Sequence, residues 1–505
     1  MSEGNSYARI LRSSSIMGGA QAINYMLALV RVKVIAVLLG PTGVGIIGLY
    51  TSATAFVGTA TALGIAGSSV RSIAEAKGRD DPEAVARVAR SLRYLCWLTG
   101  ILGWLACIVL ARPLSEWMFD SPTHAWALAV LGATLFMSAL SGGQTGLLQG
   151  LRRIGDIARM QVAAATLSTA VAIALYVWLD ERGIVPALLA GGAVSLGMSW
   201  WYARRVEIVA VQMSWKLALA EAKPLLGLGI AMTWAAVIAS LVDLYTRSLI
   251  SRELGVDATG IFHAAWALSG TFAGFVLGAM GVDFYPRLTA TIHNATEAVR
   301  EVNEQTEIGI LLTLPGLLLI VAFAKWIVWA LYSADFAPAT DVLVWMVLGM
   351  FGRVISWPLG YVQLAAGAGR WYAASEAIFF AVQLALITSL VPRFGVVGAA
   401  YAFAVTYVIY SAGMVLIAQR LIAFRWSRSV WRMLGLSSLL ITAALAANQI
   451  LSGLQALLAG FLIAALGSVW CAKGLVGRLG PTHPLTRVLT RIFGPKWLTG
   501  TRNEV

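Results

Sequence analysis

Five basic residues fall inside long apolar runs of this sequence: Arg31, Lys33, Arg247, Lys325 and Arg353. A cation at mid-membrane costs about 2.5–3.5 kcal/mol on insertion scales, so each is expected to face protein, water or a ligand. Guanidinium groups grip phosphate oxygens in a bidentate fork, and a cluster of them therefore suits an anion, of which a diphosphate is a fitting example. Arg31 lies about 13 Å from the outer end of its run at the helical rise, and Arg247 lies at a similar depth. Asp243 stands one turn before Arg247 on the same helical face, where it can pair with the guanidinium or bind a coupling proton or cation. Lys33 is two residues from Arg31, points nearly the opposite way, and reads as snorkelling outward. Lys325 stands beside Trp326 and Trp329 and reads first as an anchor at the outer interface. The substrate-binding candidates are thus Arg31, Arg247 and Arg353, with Lys33 and Lys325 ranked behind them.

Other chemistry finds little support in the residues. Cys96, Cys107 and Cys471 lie in apolar stretches without a CxxC spacing, and His124, His263, His293 and His483 are scattered. Neither a metal site, a disulfide framework nor a cofactor is expected. A membrane glycosyltransferase, polymerase or ligase would need catalytic groups on a substantial external loop, and the longest external loop here runs only from Arg112 to His124. No catalytic residue is assigned, and the chain does not read as an enzyme.

The elements that position these residues are helices in lipid. Of the 505 residues, 59% are hydrophobic and 12% charged, which is too apolar for a soluble domain. Runs of about 20 apolar residues, without the alternation of a barrel strand, match helices crossing the hydrocarbon. They fall at 14–39, 43–67, 92–111, 125–149, 160–179, 184–203, 224–250, 259–281, 307–332, 339–366, 372–391, 396–418, 431–448 and 453–472. The expected fold is all-α, with about 14 transmembrane helices. Arg9 and Arg12 ahead of the first run resemble a signal peptide, but Arg31 and Lys33 make the run too charged for one, and it is expected to be the first membrane helix. The formal charge of +13 concentrates in alternate loops, including Arg87, Arg90, Arg93, Arg152, Arg153, Lys216, Lys223 and the tail after Arg478. The positive-inside rule then puts both termini in the cytoplasm. The same charge attracts anionic lipid headgroups, and nothing points to nucleic acid.

Asp81, Pro82 and Glu83 read as the start of a helix, and Val85, Val88, Ala89 and Leu92 as the apolar stripe of a helix lying on the membrane face. An internal repeat is also visible. Leu39-Gly40 and Gly45-Ile46 recur as Leu254-Gly255 and Gly260-Ile261, Gly150 and Arg153 as Gly367 and Arg370, and Gly183 as Gly395. Six helices therefore repeat as six, giving two bundles related by a pseudo-two-fold axis. The expected organisation is an N-terminal bundle at 1–223, a C-terminal bundle at 224–420, and a helix pair with a basic tail at 421–505. The repeat brings Arg247 within one residue of Arg31, so the two arginines are expected to face each other between the bundles.

Three stretches carry a family resemblance: Leu38-Leu39-Gly40-Pro41-Thr42-Gly43-Val44-Gly45, Gly281-Val282-Asp283-Phe284-Tyr285-Pro286-Arg287-Leu288 and Ser356-Trp357-Pro358-Leu359-Gly360-Tyr361. Over about residues 7–420 the chain resembles the polysaccharide exporters, in particular the Wzx-type flippases of O-antigen and related lipid-linked oligosaccharides. These share a superfamily with multidrug exporters and lipid II flippases. The resemblance implies a bacterial inner-membrane protein that moves an undecaprenyl-diphosphate-linked glycan by alternating access, with the polyprenyl chain left in lipid. It also implies polysaccharide polymerase and chain-length machinery as possible partners. Arg31, Arg247 and Arg353 would hold the diphosphate, while Pro286, Arg287, Trp357 and Pro358 read as structural. The alternatives are a lipid II flippase and a multidrug cation exporter; the latter would want cavity acids, for which Asp243 and Glu376 are the candidates.

Overall fold

The computed structural model describes residues 3–62, 64–209 and 215–479, with side chains outside 3–16, 65–69, 215–232, 282 and 479. The basic tail beyond 479 and the side chains of Arg9, Arg12, Lys216 and Lys223 lie outside the described residues. Fourteen α-helices follow one another: α1 (Glu3–Ala62), α2 (Ile65–Gly78), α3 (Pro82–Phe119), α4 (Ala125–Gly150), α5 (Ile154–Leu179), α6 (Ile184–Ala203), α7 (Trp215–Leu254), α8 (Val256–Thr291), α9 (Ala295–Leu331), α10 (Ala339–Ala365), α11 (Gly369–Phe394), α12 (Val396–Ile422), α13 (Arg428–Ile450) and α14 (Gly453–Leu479). No strand occurs among the described residues, and backbone groups are satisfied within each helix as lipid requires.

Eleven stretches are long and apolar enough to cross a membrane. Two of them are double: Met17–Ala62 has 46 residues and breaks at Gly40, and Ile154–Ala203 has 50 and contains α5 and α6. With α7, 40 residues long, the crossings number fourteen, as expected. The break in α1 comes from Gly40, whose φ of 60° and ψ of −166° no L-residue adopts cheaply, followed by Pro41.

The segment read as a surface helix differs. Asp81 does cap α3, accepting from the Ala84 amide at 2.8 Å, but the helix runs unbroken from Pro82 into the membrane. Val85, Val88 and Ala89 pack with Leu92 against Ile73 and Leu147 rather than on lipid. The stripe was sound; its partner is α2, a 14-residue helix too short to cross. There Arg71 donates to Glu75 at 2.7 Å, and this hydrogen bond, then the charge, holds the Glu75 carboxyl below its ordinary value.

The repeat is real in conformation and has one register. Positive φ recurs at a spacing of 215 residues: Gly40 and Gly255, Arg152 and Gly367, Asp180 and Gly395. A Cβ at Gly183 would lie 2.5 Å from the Leu175 carbonyl oxygen, and one at Gly398 would lie 2.3 Å from that of Leu390, the same contact at the same spacing. Pairing Gly150 with Gly367 and Gly183 with Gly395 is therefore off by two and three residues. The backbone conformation repeats, while the residue type that adopts it need not.

The chain divides into two compact units, 1–260 with 331–335, and 261–330 with 336–505. In the first, α7 packs against α1 and α3. Equivalent glycines of the two repeats meet here. A Cβ at Gly260 would stand 2.0 Å from the Pro41 carbonyl oxygen and one at Gly45 2.2 Å from that of Val256, and Thr42 donates to Asp257 at 2.5 Å. The core of this unit gathers Leu49, Tyr50, Met118, Leu128, Leu131 and Ile184. The second unit is built around α10, whose Val342 to Gln363 face is largely buried, and around a cluster of Phe284, Leu288, Leu359, Val362, Met414 and Phe424. Exposed apolar side chains such as Val109, Trp178 and Leu439 are what a lipid solvent calls for.

Candidate functional site

In the first unit, Arg31 lies on the N-terminal arm of α1 with its side chain exposed and within electrostatic reach of Tyr176 on α5. It makes no ion pair with a described residue. Arg247 on α7 is 5% exposed and forks onto Asp243, with Nε to Oδ2 at 2.9 Å and Nη2 to Oδ1 at 3.1 Å. This pair is neutral as a unit, so Arg247 offers less to an anion than its type alone implies. Lys33 donates to the carbonyl oxygen of Tyr332, in the short segment that joins this unit.

In the second unit, Arg353 is half-buried near the middle of α10. It too makes no ion pair with a described residue. Glu376 on α11 and Tyr407 on α12 lie within its electrostatic reach, and Glu376 accepts a hydrogen bond from the Tyr410 hydroxyl at 2.5 Å. One and two turns beyond Arg353 on the same stripe stand Trp357 and Tyr361, edge to face at 4.7 Å. The two motifs near helix ends pack on each other. Phe284 meets Trp357 and Tyr361, both at 5.9 Å, and Tyr285 meets Tyr361 at 5.6 Å. Asp283 pairs with Arg287 at 2.8 Å, and Arg287 also donates to Gln305 at 3.3 Å. Lys325 is exposed and lines a pocket of about 400 Å³ with Trp326 and Asn448. Among the described residues no group of His, Cys, Asp and Glu could hold a metal ion, and the three cysteines are buried and free.

One cavity among the described residues is not marked by any charged residue. It lies in the first unit, has about 960 Å³, and is walled by α1, α3, α4 and α6. Ten hydroxyl side chains and Gln149 line it, and no charged one does. The signal was present: Thr134, Ser138, Ser141 and Thr145 recur every three or four residues along one face of an apolar helix.

The described residues form an all-helical, multi-pass membrane protein whose spans hold Arg31 and Arg353 without an ion pair to a described residue. By sequence it belongs to the family described as polysaccharide biosynthesis protein, whose model matches residues 10–292, more than half of the chain. The lipid III flippase of Escherichia coli (strain K12) is 23% identical over 394 residues, covering 75% of this chain and 90% of that protein, and the lipid III flippase of Shigella flexneri matches equally. The fold is similar to the lipid II flippase MurJ in its inward closed conformation, with a TM-score of 0.65, 12% identity, and 92% and 99% of the two chains covered. It is similar also to an inward-facing MATE family transporter of the MOP superfamily, with a TM-score of 0.61, 17% identity, and coverage of 79% and 94%.

Proposed function

We propose that this protein is a flippase of the bacterial inner membrane that carries a polyprenyl-diphosphate-linked oligosaccharide from the cytoplasmic to the outer leaflet by alternating access. The cargo in this reading is an undecaprenyl-diphosphate unit of O-antigen or a related surface polysaccharide, handed on to polymerase and chain-length machinery. The observation that carries the reading is the state of the arginines. Arg31 and Arg353 lie within spans without an ion pair to a described residue, in a chain whose family is described as polysaccharide biosynthesis protein and whose relatives include lipid III flippases. Their cost in the membrane is offset when a diphosphate arrives. Arg247, held by Asp243, joins them only when that pair opens. The in-span acids favour an anionic cargo over a cationic drug, since Asp243 is forked by Arg247 and Glu376 is bonded to Tyr410.

The membrane potential favours this direction. Each charge crossing 100 mV is worth about 2.3 kcal/mol, so a diphosphate leaving a negative cytoplasm moves downhill, and an empty cationic site returning inward does so as well. Arg31→Ala and Arg353→Ala are expected to abolish surface glycan in cells lacking the native gene, with the protein at normal abundance in the membrane. Full surface glycan in both variants would refute the diphosphate clamp.

A further inference from the structure

Ten hydroxyl groups around one cavity would ordinarily offer donors and acceptors alike. Here most of the protons are already committed, those of Thr51, Thr134 and Ser141 to the carbonyls of Ile47, Leu131 and Ser195 among them. Thr54 donates to the Tyr50 carbonyl at 2.8 Å, Thr61 to Val57 at 2.9 Å, Thr99 to Leu95 at 2.9 Å, Thr145 to Ser141 at 2.9 Å and Ser195 to Gly191 at 2.9 Å. A hydroxyl has one proton and two lone pairs, so a back-bonded Ser or Thr presents acceptors to the cavity. The wall is thus uncharged and rich in acceptors. It suits a neutral ligand dense in O–H and N–H groups, and it carries no cation to hold a diphosphate. Its volume of about 960 Å³ is ample for such a ligand, at the top of the usual ~300–1,000 Å³ range of ligand pockets.

The repeat shows that this void is not forced by the fold. At the spacing of 215 residues fixed by the backbone, Ser138 corresponds to Arg353, Gly142 to Trp357, Gly146 to Tyr361, Gly192 to Tyr407 and Ser195 to Tyr410. In the second repeat these large side chains pack together, Trp357 with Tyr361 at 4.7 Å and Tyr407 with Tyr410 at 5.7 Å. The same architecture is filled in one copy and left open, small and hydroxylated in the other.

We infer that the cavity of the first unit is a subsite for the sugar part of the cargo, recognising uncharged glycan hydroxyl and amide N–H groups through its acceptor wall. This rests on the flippase reading and adds a division of labour: arginines take the diphosphate, and the hydroxyl wall takes the glycan.

The test uses the full-length purified protein and two probes. One is undecaprenyl diphosphate without sugar; the other is the lipid-linked repeat unit extracted from cells lacking this transporter. Gly142→Phe and Gly191→Phe fill the cavity without a steric penalty, because a Cβ at either position meets nothing within 4 Å. Thr54→Val with Thr145→Val holds the volume and removes two acceptors. The filling variants are expected to bind the glycan-bearing lipid at least tenfold more weakly, and the Thr→Val pair about tenfold, with the bare lipid bound as by the wild type. Arg353→Ala should weaken both probes. If the filled and Thr→Val variants bind the glycan-bearing lipid as the wild type does, the cavity holds only water and the inference is overturned, while the flippase reading stands on the bare lipid. If the wild type binds neither probe, that reading fails and takes the inference with it.

Discussion

Asp243→Ala isolates a charge that the structure has buried. Arg247 is 5% exposed, and two of its N–H groups end on the Asp243 carboxylate at 2.9 and 3.1 Å. Removing one partner of a buried ion pair costs about 3–5 kcal/mol, since the remaining charge stays desolvated. The Asp243 side chain keeps 30% of its exposure, so water can partly replace it, and the lower end, about 3 kcal/mol, is the figure to expect. Asp243→Ala combined with Arg247→Leu removes both charges and should recover most of that loss. The assay is a double-mutant cycle on unfolding in mixed micelles of rising denaturing-detergent fraction, with expression level as a second readout. A coupling below about 0.5 kcal/mol, within the scatter of independent sites, would refute the argument that the pair is energetically a unit. Asp243→Asn keeps the shape and removes the carboxylate charge that faces the guanidinium. Added undecaprenyl diphosphate should therefore stabilise this variant more than the wild type, as mass action requires of a tighter ligand.

Further outcomes follow from other contacts. Gly260→Ala places a Cβ 2.0 Å from the Pro41 carbonyl oxygen, a backbone atom that cannot swing away; a loss of about 3 kcal/mol is expected, read by the same micelle unfolding. Arg353→Lys and Arg31→Lys should restore only part of the surface glycan lost in the alanine variants, because an ammonium keeps the charge and loses the fork. Reporter fusions at both termini should be active only as cytoplasmic fusions, and activity outside would reverse the orientation drawn from the basic residues.

Apolar run length decided the fold class without help from tertiary structure, because lipid leaves the backbone only intrahelical partners. The crossings, the cap at Asp81 and the pairing of Asp243 with Arg247 were legible for the same reason: each depends on residues within one or two turns of each other. The presence of a repeat was legible too, but its register was not. Glycine was read as the repeating unit, whereas the repeating quantity is a positive φ that Arg152 and Asp180 also adopt. The stripe from Val85 to Leu92 fixed a buried face but could not say whether lipid, or α2 and α4, covers it. Tertiary packing alone decided that the motifs at Phe284 and Trp357 meet, and that Glu376 is bonded to Tyr410, 34 residues away. It alone decided that hydroxyls on four helices wall one cavity. A Thr back-bonded to its own helix looks the same in sequence whether its lone pairs face lipid or a void, and only the arrangement of the helices around it tells the two apart.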